Sequence, residues 1–416
     1  MASALTTHPL GFVGAGQLAR MAGEAASTLG LSLAVLSAHP DDAACTLAAE
    51  VLVGTPFALD DLRALAARCD VVTFDHEQVD LDLLRTLTEA GTVVRPGPDA
   101  LAMAVDKAHM RATLAAAGVP VPAYAVVDPS TPSAADEVEG MGQAHGWPLV
   151  LKAARGGYDG KGVWMVNDLT AARQVLDTMA QSPVTPGTGT SATATATATA
   201  PRMVVEQRVP MRAELAVMVA RRPCGEAASW PAVETAQVDG VCREVLVPGR
   251  IPSAVLNEAA ELGRQVADIA GAVGVMAVEL FWSDDGLTVN EVATRPHNSG
   301  HWTMEGSVTS QFENHVRAVL DLPLGSTALA HPEVASVNVF GSADGVDPRC
   351  RLSAALAVAG AHVHLYGKAP KPGRKLGHVT VCGKSGDDVR ARAWQAARAL
   401  GTPVPAGLDI PPSEAP

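Results

Sequence analysis

Two glutamates flank a predicted β-hairpin in the second half of the chain. Glu279 and Glu291 stand at equal distances from residue 285 in the predicted turn 283–286, so we expect their side chains to face each other across the two strands. The residues around Glu279 are apolar, and a buried pair of like charges is costly without compensation. Carboxylate oxygens, together with the adjacent Asn290, suit Mg²⁺ that bridges substrate phosphates. The hairpin therefore predicts a magnesium site at Glu279, Asn290 and Glu291, and an ion pair between one glutamate and Arg or Lys is the alternative.

A glycine-rich loop follows a predicted strand at 149–153. Lys152 lies near the end of that strand, and residues 156–162 read G-G-Y-D-G-K-G, with four glycines in seven positions. Glycine lets the backbone close over a polyphosphate and present its amides, while Lys152 neutralises phosphate charge. The segment therefore predicts a nucleotide-binding loop, with a plain hairpin turn as the alternative.

The hairpin leads into a loop that concentrates cationic, imidazole and amide groups. Residues 295–301 read R-P-H-N-S-G-H, an unusual density of polar groups for a connection. Such a loop suits the recognition of a small oxyanion and the handling of a proton.

A cluster of cations lies near the C-terminus. Lys368, Lys371, Arg374 and Lys375 fall within eight residues around a turn, in a chain whose formal net charge is -13. In so acidic a chain the cluster predicts a phosphate clamp, and a solvated surface turn is the alternative.

A second glycine turn lies near the N-terminus. Residues 14–19 read G-A-G-Q-L-A at the start of a predicted helix, so their amides could approach a phosphate or another anion. The motif nearly matches the dinucleotide-binding fingerprint, but the second strand ends at Ser37-Ala38-His39, without the acidic residue that holds a ribose. Binding of NAD, binding of another ligand and simple helix packing all stay open for this turn.

Three structural units must position these motifs. Alternating strands and helices in residues 1–117 predict an α/β, doubly wound domain with a parallel sheet and a helical run at 99–117. Residues 118–210 predict a small β-rich lid, within which the low-complexity segment 182–201 is expected to be a mobile surface loop. Residues 211–401 form a third α+β unit with a final β-rich stretch, and 402–416 a poorly ordered tail.

The bulk properties exclude several classes of protein. A chain of 416 residues is expected to form two or three domains. Its acidic balance, without a long Lys/Arg block, argues against nucleic-acid binding. The six cysteines are scattered without a C-x-x-C pair, which argues against zinc and disulfides. No signal peptide or membrane span is recognisable, so we expect a cytoplasmic protein without membrane contacts.

Together and in this order, the motifs resemble those of the ATP-grasp superfamily and, within it, of the 5-(carboxyamino)imidazole ribonucleotide synthase family. The resemblance covers residues 10–385 and rests on G-A-G-Q-L at 14–18, G-G-Y-D-G-K-G at 156–162, V-E-Q at 205–207, N-E-V-A-T-R-P-H-N-S-G-H-W at 290–302 and K-P-G-R-K-L-G-H at 371–378. It implies an ATP-grasp fold in which ATP is gripped between the second and third domains.

The resemblance also implies roles for individual residues. The implied ATP contacts are Lys107, Lys152, Gly157, Tyr158, Asp159, Gly160, Lys161, Gly162, Val163, Glu206, Gln207, Arg208, Val209, Glu214, Gln237, Asn290 and Glu291. The implied ligands of Mg²⁺, with Mn²⁺ as an alternative ion, are Glu279, Asn290 and Glu291. The implied contacts of the ribonucleotide are Gln17, Leu18, Glu77, Tyr158, Asp159, Asn298, Lys368, Arg374 and Lys375. The implied catalytic residues are Lys152, Tyr158, Arg295 and His297, of which the last two lie near bicarbonate.

The implied activity is an ATP-dependent carboxylation in purine biosynthesis, carried out by a homodimer. Bicarbonate and MgATP would give carboxyphosphate, whose carboxyl group 5-aminoimidazole ribonucleotide would accept. Lys161, Lys371 and Gln237 replace residues that are often Arg, Arg and His in the family, and lysine loses the bidentate geometry of arginine. The alternatives are another ATP-grasp ligase, such as formate-dependent glycinamide ribonucleotide transformylase, a Rossmann-type oxidoreductase, and a nucleotide-binding scaffold without activity.

Overall fold

The first unit is a parallel sheet covered by helices. The structure is a computed structural model that describes residues 8–157, 162–181 and 202–411. The elements of this unit are β1 (Leu10–Val13), α1 (Gln17–Thr28), β2 (Leu33–Ser37), β3 (Glu50–Val53), α2 (Leu59–Ala66), β4 (Val71–Phe74), α3 (Leu81–Glu89), α4 (Pro98–Val105) and α5 (Lys107–Ala116). The strands lie in the order β3-β2-β1-β4, all parallel. Strands β1, β2 and β4 are buried throughout, because α1 packs on one face of the sheet and α2 and α3 on the other. The predicted doubly wound domain is confirmed.

The helical run predicted at 99–117 divides into α4 and α5 at Asp106. This residue has an extended backbone, and its side chain accepts a hydrogen bond from the N–H of His109 at 3.0 Å. A carboxylate that caps one helix in this way ends the helix before it. The break makes Lys107 the first residue of α5.

The second unit is a small antiparallel sheet with two helices. Its elements are β5 (Tyr124–Val127), α6 (Ala134–His145), β6 (Leu149–Ala153), β7 (Val163–Val166), α7 (Leu169–Gln181) and β8 (Met203–Gln207). Among the described residues the strands lie in the order β5-β8-β6-β7. The mobile loop predicted at 182–201 lies outside the described residues, as do residues 158–161 of the glycine-rich loop.

The third unit is built on one large sheet. Its elements are β9 (Ala213–Arg221), β10 (Ala227–Ser229), β11 (Val233–Val238), β12 (Val241–Val247), α8 (Ser253–Ala270), β13 (Gly274–Ser283), β14 (Gly286–Ala293), α9 (Thr303–Gly306), α10 (Gln311–Val319), β15 (Glu333–Phe340), α11 (Leu352–Leu356), β16 (Ala361–Leu365), β17 (Lys375–Gly383) and α12 (Gly386–Ala399). The described strands follow the order β14-β13-β9-β11-β12-β15-β17-β16, with β10 paired to β9. Pairing of β12 with β15 joins the predicted final β-rich stretch to the hairpin sheet. One continuous sheet therefore carries both the glutamate pair and Lys375.

The segment after α12 packs against the protein. Leu408 and Ile410 contact the apolar cluster beneath α12, and Oγ1 of Thr402 accepts a hydrogen bond from the N–H of Phe340 at 3.1 Å. These contacts join part of the tail to the third unit, and its poor order stays a prediction. Residues 412–416 lie outside the described part of the chain.

Candidate active site

The two glutamates of the hairpin face each other. Glu279 on β13 pairs with Glu291 on β14, as the sequence pattern predicted. Between the turn and the pair Leu280–Val289, however, the two strands are paired in a different register. If this register continued, Glu279 would lie opposite Asn290. A shift at this point leaves Asn290 as the extra residue of a β-bulge. The bulge restores the pairing of the glutamates.

Glu279 lies in an environment that disfavours its charge. Desolvation, with added repulsion from Glu291 and Glu214, raises the pKa of Glu279 to about 8. Lys107 balances part of the charge, since its Nζ lies 2.8 Å from Oε1 of Glu291. Two opposed carboxylates beside an amide oxygen fit a divalent cation that takes its remaining ligands from phosphates and water. Within residues 8–157, 162–181 and 202–411, there is no group of three or more His, Cys, Asp or Glu side chains that could hold a metal ion.

Asn290 is held from two sides. Nζ of Lys152 donates to its side-chain oxygen at 3.0 Å, and Nη2 of Arg111 donates to its main-chain oxygen at 2.7 Å. Lys152 is 7% exposed and Arg111 is 1% exposed. Because Arg111 lies on α5 and Lys152 on β6, the first and second units both contact the bulge in the third.

A buried carboxylate balances these two cations. Oε2 of Glu206, on β8, lies 2.7 Å from Nζ of Lys152, and its Oε1 lies 2.7 Å from Nη2 of Arg111. Burial alone would raise the pKa of Glu206, but Lys152 and Arg111 reverse this effect and lower it. Burial lowers the pKa of Lys152, and Glu206 opposes that change. Arg111 was not among the predicted site residues, although it stands four residues after Lys107 on one helix, a spacing that places both side chains on the same face.

Asp106 anchors the beginning of the glycine-rich loop. Its Oδ2 lies 2.9 Å from Nε of Arg155 and 2.7 Å from Nη2 of Arg202. The N–H of Lys107 also donates to the carbonyl oxygen of Ala154 at 2.8 Å. The start of α5 is thereby tied to the residues that follow β6 and precede β8. The sequence signal for this cap is the acidic residue directly before Lys107, and this role of Asp106 was not predicted.

The two ends of the glycine-rich loop have backbone conformations that favour glycine. Gly156 has a φ of 79° and Gly162 a φ of 77°. Val163 follows Gly162 and pairs with Lys152, so the loop lies at the end of the strand that carries this lysine. The predicted ATP contacts Tyr158, Asp159, Gly160 and Lys161 lie outside the described residues, whereas Gly157 lies inside them.

The polar loop that follows the hairpin reaches the first unit. Nε of Arg295 lies 2.6 Å from Oε2 of Glu77, which follows β4. Nε2 of His297 lies 3.6 Å from Oε1 of Glu279. Burial, with contributions from Arg295 and Lys375, lowers the pKa of His297 to about 3, so its imidazole is neutral. The loop therefore brings Arg295 and His297 together with Glu77 and the glutamate hairpin.

The predicted phosphate clamp borders this loop through Lys375. The charge of Lys375, at the start of β17, contributes to the low pKa of both His297 and His301. Nζ of Lys368 lies 5.7 Å from the ring centre of Tyr366. The exposed Arg374 donates to the carbonyl oxygen of Ala369 at 3.2 Å.

Other predicted contacts lie nearby. Oδ1 of Asn298 is buried and has no hydrogen-bond partner among the described residues, which suits contact with a ligand. Burial raises the pKa of Glu214, and a hydrogen bond to Gln237 offsets part of that effect. Gln207, a predicted ATP contact, is the last residue of β8, and the predicted contacts Arg208 and Val209 follow it.

The backbone N–H groups of the N-terminal glycine turn bind the side-chain carboxylate of Asp75. Asp75 accepts hydrogen bonds from the N–H groups of Gly16 and Ala19, both at 2.8 Å. A Cβ atom on Gly16 would collide with Oδ2 of Asp75, so this approach requires glycine. The anion at the start of α1 is therefore internal, which favours positioning of the helix over binding of a dinucleotide phosphate. The predicted substrate residues Gln17 and Leu18 begin this helix, and Leu18 is buried.

Three family models match the chain in order. A ribonucleotide synthetase preATP-grasp domain matches residues 7–105, an ATP-grasp domain matches 112–312, and a phosphoribosylaminoimidazole carboxylase C-terminal domain matches 335–392. The N5-carboxyaminoimidazole ribonucleotide synthase of Mycobacterium tuberculosis is 45% identical over 395 residues, which are 93% of this chain and 86% of the relative. The synthase of Synechococcus elongatus is 39% identical over 389 residues, 93% of this chain and 92% of the relative.

Solved structures of the same name share the fold. The N5-carboxyaminoimidazole synthase of Aspergillus clavatus, in complex with ADP and 5-aminoimidazole ribonucleotide, has a TM-score of 0.82 at 29% identity and covers 95% of this chain and 98% of its own. The N5-carboxyaminoimidazole ribonucleotide synthetase of Thermus thermophilus has a TM-score of 0.81 at 32% identity. The match covers 95% of this chain and 99% of the synthetase.

Proposed function

The chain belongs to the N5-carboxyaminoimidazole ribonucleotide synthase family and is an ATP-grasp ligase of purine biosynthesis, and from this premise we propose its substrates and the roles of its residues. We infer that it carboxylates the amine of 5-aminoimidazole ribonucleotide with bicarbonate, and that it converts ATP to ADP and phosphate. The observation that carries this proposal is the group formed by Lys107, Lys152, Glu279, Asn290 and Glu291 at the junction of all three units, in which both lysines are buried.

Lys107 and Lys152 act on the phosphates of ATP. Each lysine is nearly buried and already faces a carboxylate, Glu291 for Lys107 and Glu206 for Lys152. Their side chains are therefore held in place before the nucleotide arrives, and such preorganisation is the main source of catalysis in phosphoryl transfer. Glu279, Asn290 and Glu291 would hold Mg²⁺, or Mn²⁺, which supplies charge neutralisation at the phosphates when bound.

Arg295 and His297 act on bicarbonate and on the carboxyl group that is transferred. The guanidinium of Arg295 matches the planar shape and charge of bicarbonate, and its present partner Glu77 fixes its direction. Nδ1 of His297 lies 2.8 Å from Oγ of Ser299 and 3.4 Å from its N–H. We take Nδ1 as the acceptor of both, which places the hydrogen of this neutral imidazole on Nε2. His297 thus presents an N–H donor to the site without adding a second cation beside Arg295.

The glycine-rich loop, with Tyr158 and Asp159, would close over the bound substrates. Carboxyphosphate reacts readily with water, so a closed site protects it until the amine of the ribonucleotide attacks its carbonyl carbon and phosphate leaves. The phosphate of the ribonucleotide would bind Lys368, Arg374 and Lys375. Gln17, Leu18, Glu77 and Asn298 would position its sugar and base.

We also propose that the enzyme acts in the cytoplasm and as a homodimer, as the family resemblance implies. No helix in the described ranges combines the length and apolarity that a membrane crossing requires.

An exchange of co-substrates tests this proposal. Purified protein with MgATP is supplied with radiolabelled bicarbonate or formate, and with 5-aminoimidazole ribonucleotide or glycinamide ribonucleotide as acceptor. We expect label to enter the nucleotide product only from bicarbonate and only with 5-aminoimidazole ribonucleotide. Label from formate in glycinamide ribonucleotide would instead identify a transformylase.

A further inference from the structure

The side chain of Gln311 is enclosed within the polar loop. Gln311 begins α10 and is 0% exposed. Its Oε1 accepts a hydrogen bond from the N–H of His297 at 2.9 Å, and its Nε2 donates to the carbonyl oxygen of His297 at 2.7 Å. The amide therefore pairs with both backbone groups of one residue, as a neighbouring β-strand would. A Cβ atom on Gly300 would collide with this amide, which explains the glycine there.

The same amide also faces the second histidine of the loop. Nε2 of Gln311 lies 3.3 Å from Nδ1 of His301, which is 1% exposed. Because Oε1 accepts from the N–H of His297, the orientation of the amide is fixed and Nε2 must be the donor toward His301. A neutral His301 then carries its hydrogen on Nε2. That atom is buried and has no hydrogen-bond partner among the described residues.

We propose that Gln311 is a positioning residue for the carboxylation step. It fixes the backbone of His297, and with it the directions in which Arg295 and His297 enter the site, and it sets the tautomer of His301. This inference rests on the proposed function of the loop. Within the part of the chain that the structure describes, Gln311 forms no hydrogen bond with Lys107, Lys152 or the glutamate hairpin. Its removal should therefore affect the carboxyl-transfer half of the site much more than ATP binding.

The chain offers a matched control on the same helix. Asn314 is also 0% exposed, and its amide also pairs with both backbone groups of one residue, accepting from the N–H of Gly325 at 2.7 Å and donating to its carbonyl oxygen at 3.1 Å. Gly325 lies outside the polar loop. Gln311→Glu and Asn314→Asp each replace one buried amide donor by an acceptor, so both should destabilise the protein through an unsatisfied group.

The experiment compares these variants in thermal melting, ATP affinity by calorimetry, and steady-state kinetics with bicarbonate and 5-aminoimidazole ribonucleotide. We expect Gln311→Glu to lower kcat by about tenfold to a hundredfold through misplaced catalytic groups, with ATP affinity within about twofold of the wild type. Asn314→Asp should lose similar thermal stability and keep kcat. In ¹⁵N-histidine spectra, the signal of His301 should change tautomer in Gln311→Glu only.

The outcomes separate the two levels of the proposal. If the wild type shows no turnover that depends on the ribonucleotide, the proposed function fails. If the wild type is active and Gln311→Glu matches Asn314→Asp in kcat, with His301 unchanged, the positioning role of Gln311 is refuted. Should Gln311→Glu fail to fold, Gln311→Met, which keeps the length of the side chain without charge, takes its place with the same expected loss of kcat.

Discussion

Nζ of Lys152 lies 2.7 Å from Oε2 of Glu206, and both residues are more than nine-tenths buried. Glu206 also binds Arg111, so a single carboxylate serves two cations in the interior between the three units. Removing one member of such a group leaves uncompensated buried charge, which costs far more than the loss of an exposed ion pair. Lys152, which we propose as a phosphate contact, is therefore held by a network whose balance can be tested through stability.

The first prediction concerns Glu206→Gln. We expect the free energy of unfolding in urea at pH 7 to fall by about 3–5 kcal/mol, because Lys152 and Arg111 would repel each other without their shared counter-charge. The control is Glu261→Gln, which breaks the exposed pair with Arg264 and should cost at most about 1 kcal/mol. Equal losses of unfolding free energy in the two variants would show that the buried network stabilises the protein no more than an exposed ion pair does.

A second prediction concerns the carboxylate beneath the N-terminal glycine turn. Asp75→Asn removes one of the two oxygens that accept from Gly16 and Ala19, so we expect a loss of about 1–3 kcal/mol in unfolding free energy. Because α1 begins with Gln17, the KM for 5-aminoimidazole ribonucleotide should rise while the KM for ATP stays the same. Asp80→Asn, which alters the exposed cap of α3, should change neither KM. An unchanged KM for the ribonucleotide in Asp75→Asn would contradict the substrate role of the turn.

A third prediction concerns acid stability. His315 is 0% exposed, accepts from the N–H of Val275 at 3.1 Å through Nδ1, and lies 3.0 Å from Oγ1 of Thr73 through Nε2. Burial lowers its pKa to about 3, against an ordinary value near 6.5. Between these two pH values the unfolded chain binds a proton that the folded protein excludes. The stability that the neutral ring supplies is therefore complete above pH 6.5 and is lost as the pH falls toward 3, by about 1.4 kcal/mol per pH unit.

Urea unfolding at a series of pH values checks this slope. His315→Gln should reduce the slope of unfolding free energy against pH by the contribution of one proton, about 1.4 kcal/mol per pH unit. The substitution also lowers stability at neutral pH. The exposed His331→Gln should leave the slope unchanged. An identical slope in the wild type and in His315→Gln would refute the prediction.

Local patterns in the sequence were sufficient for some features and not for others. The doubly wound unit followed from the alternation of strands and helices along the chain, and the hairpin from its turn at 283–286. The pairing of the two glutamates also depends on the bulge, because the register at the turn would place Glu279 opposite Asn290. The bulge at Asn290 was not predicted, although the alternation of buried residues along β14, Leu287 and Val289 and then Val292, shifts by one position there. The partners of Arg111 could not be predicted from local patterns either. Glu206 stands 95 positions away, and its contact with Arg111 depends on how separate units pack. Gln311 escaped notice because a helix-initial glutamine is usually solvent-exposed.

The most direct test of the account is ADP release with MgATP and bicarbonate, measured with and without 5-aminoimidazole ribonucleotide. It is run on the wild type, on Glu291→Gln, and on Asp285→Asn, which changes an exposed carboxylate in the turn of the same hairpin. We expect the ribonucleotide to stimulate ADP release strongly in the wild type and in Asp285→Asn, and the stimulation to disappear in Glu291→Gln. ATP binding without any stimulation in the wild type would contradict the proposed substrate, and full stimulation in Glu291→Gln would contradict the proposed metal site.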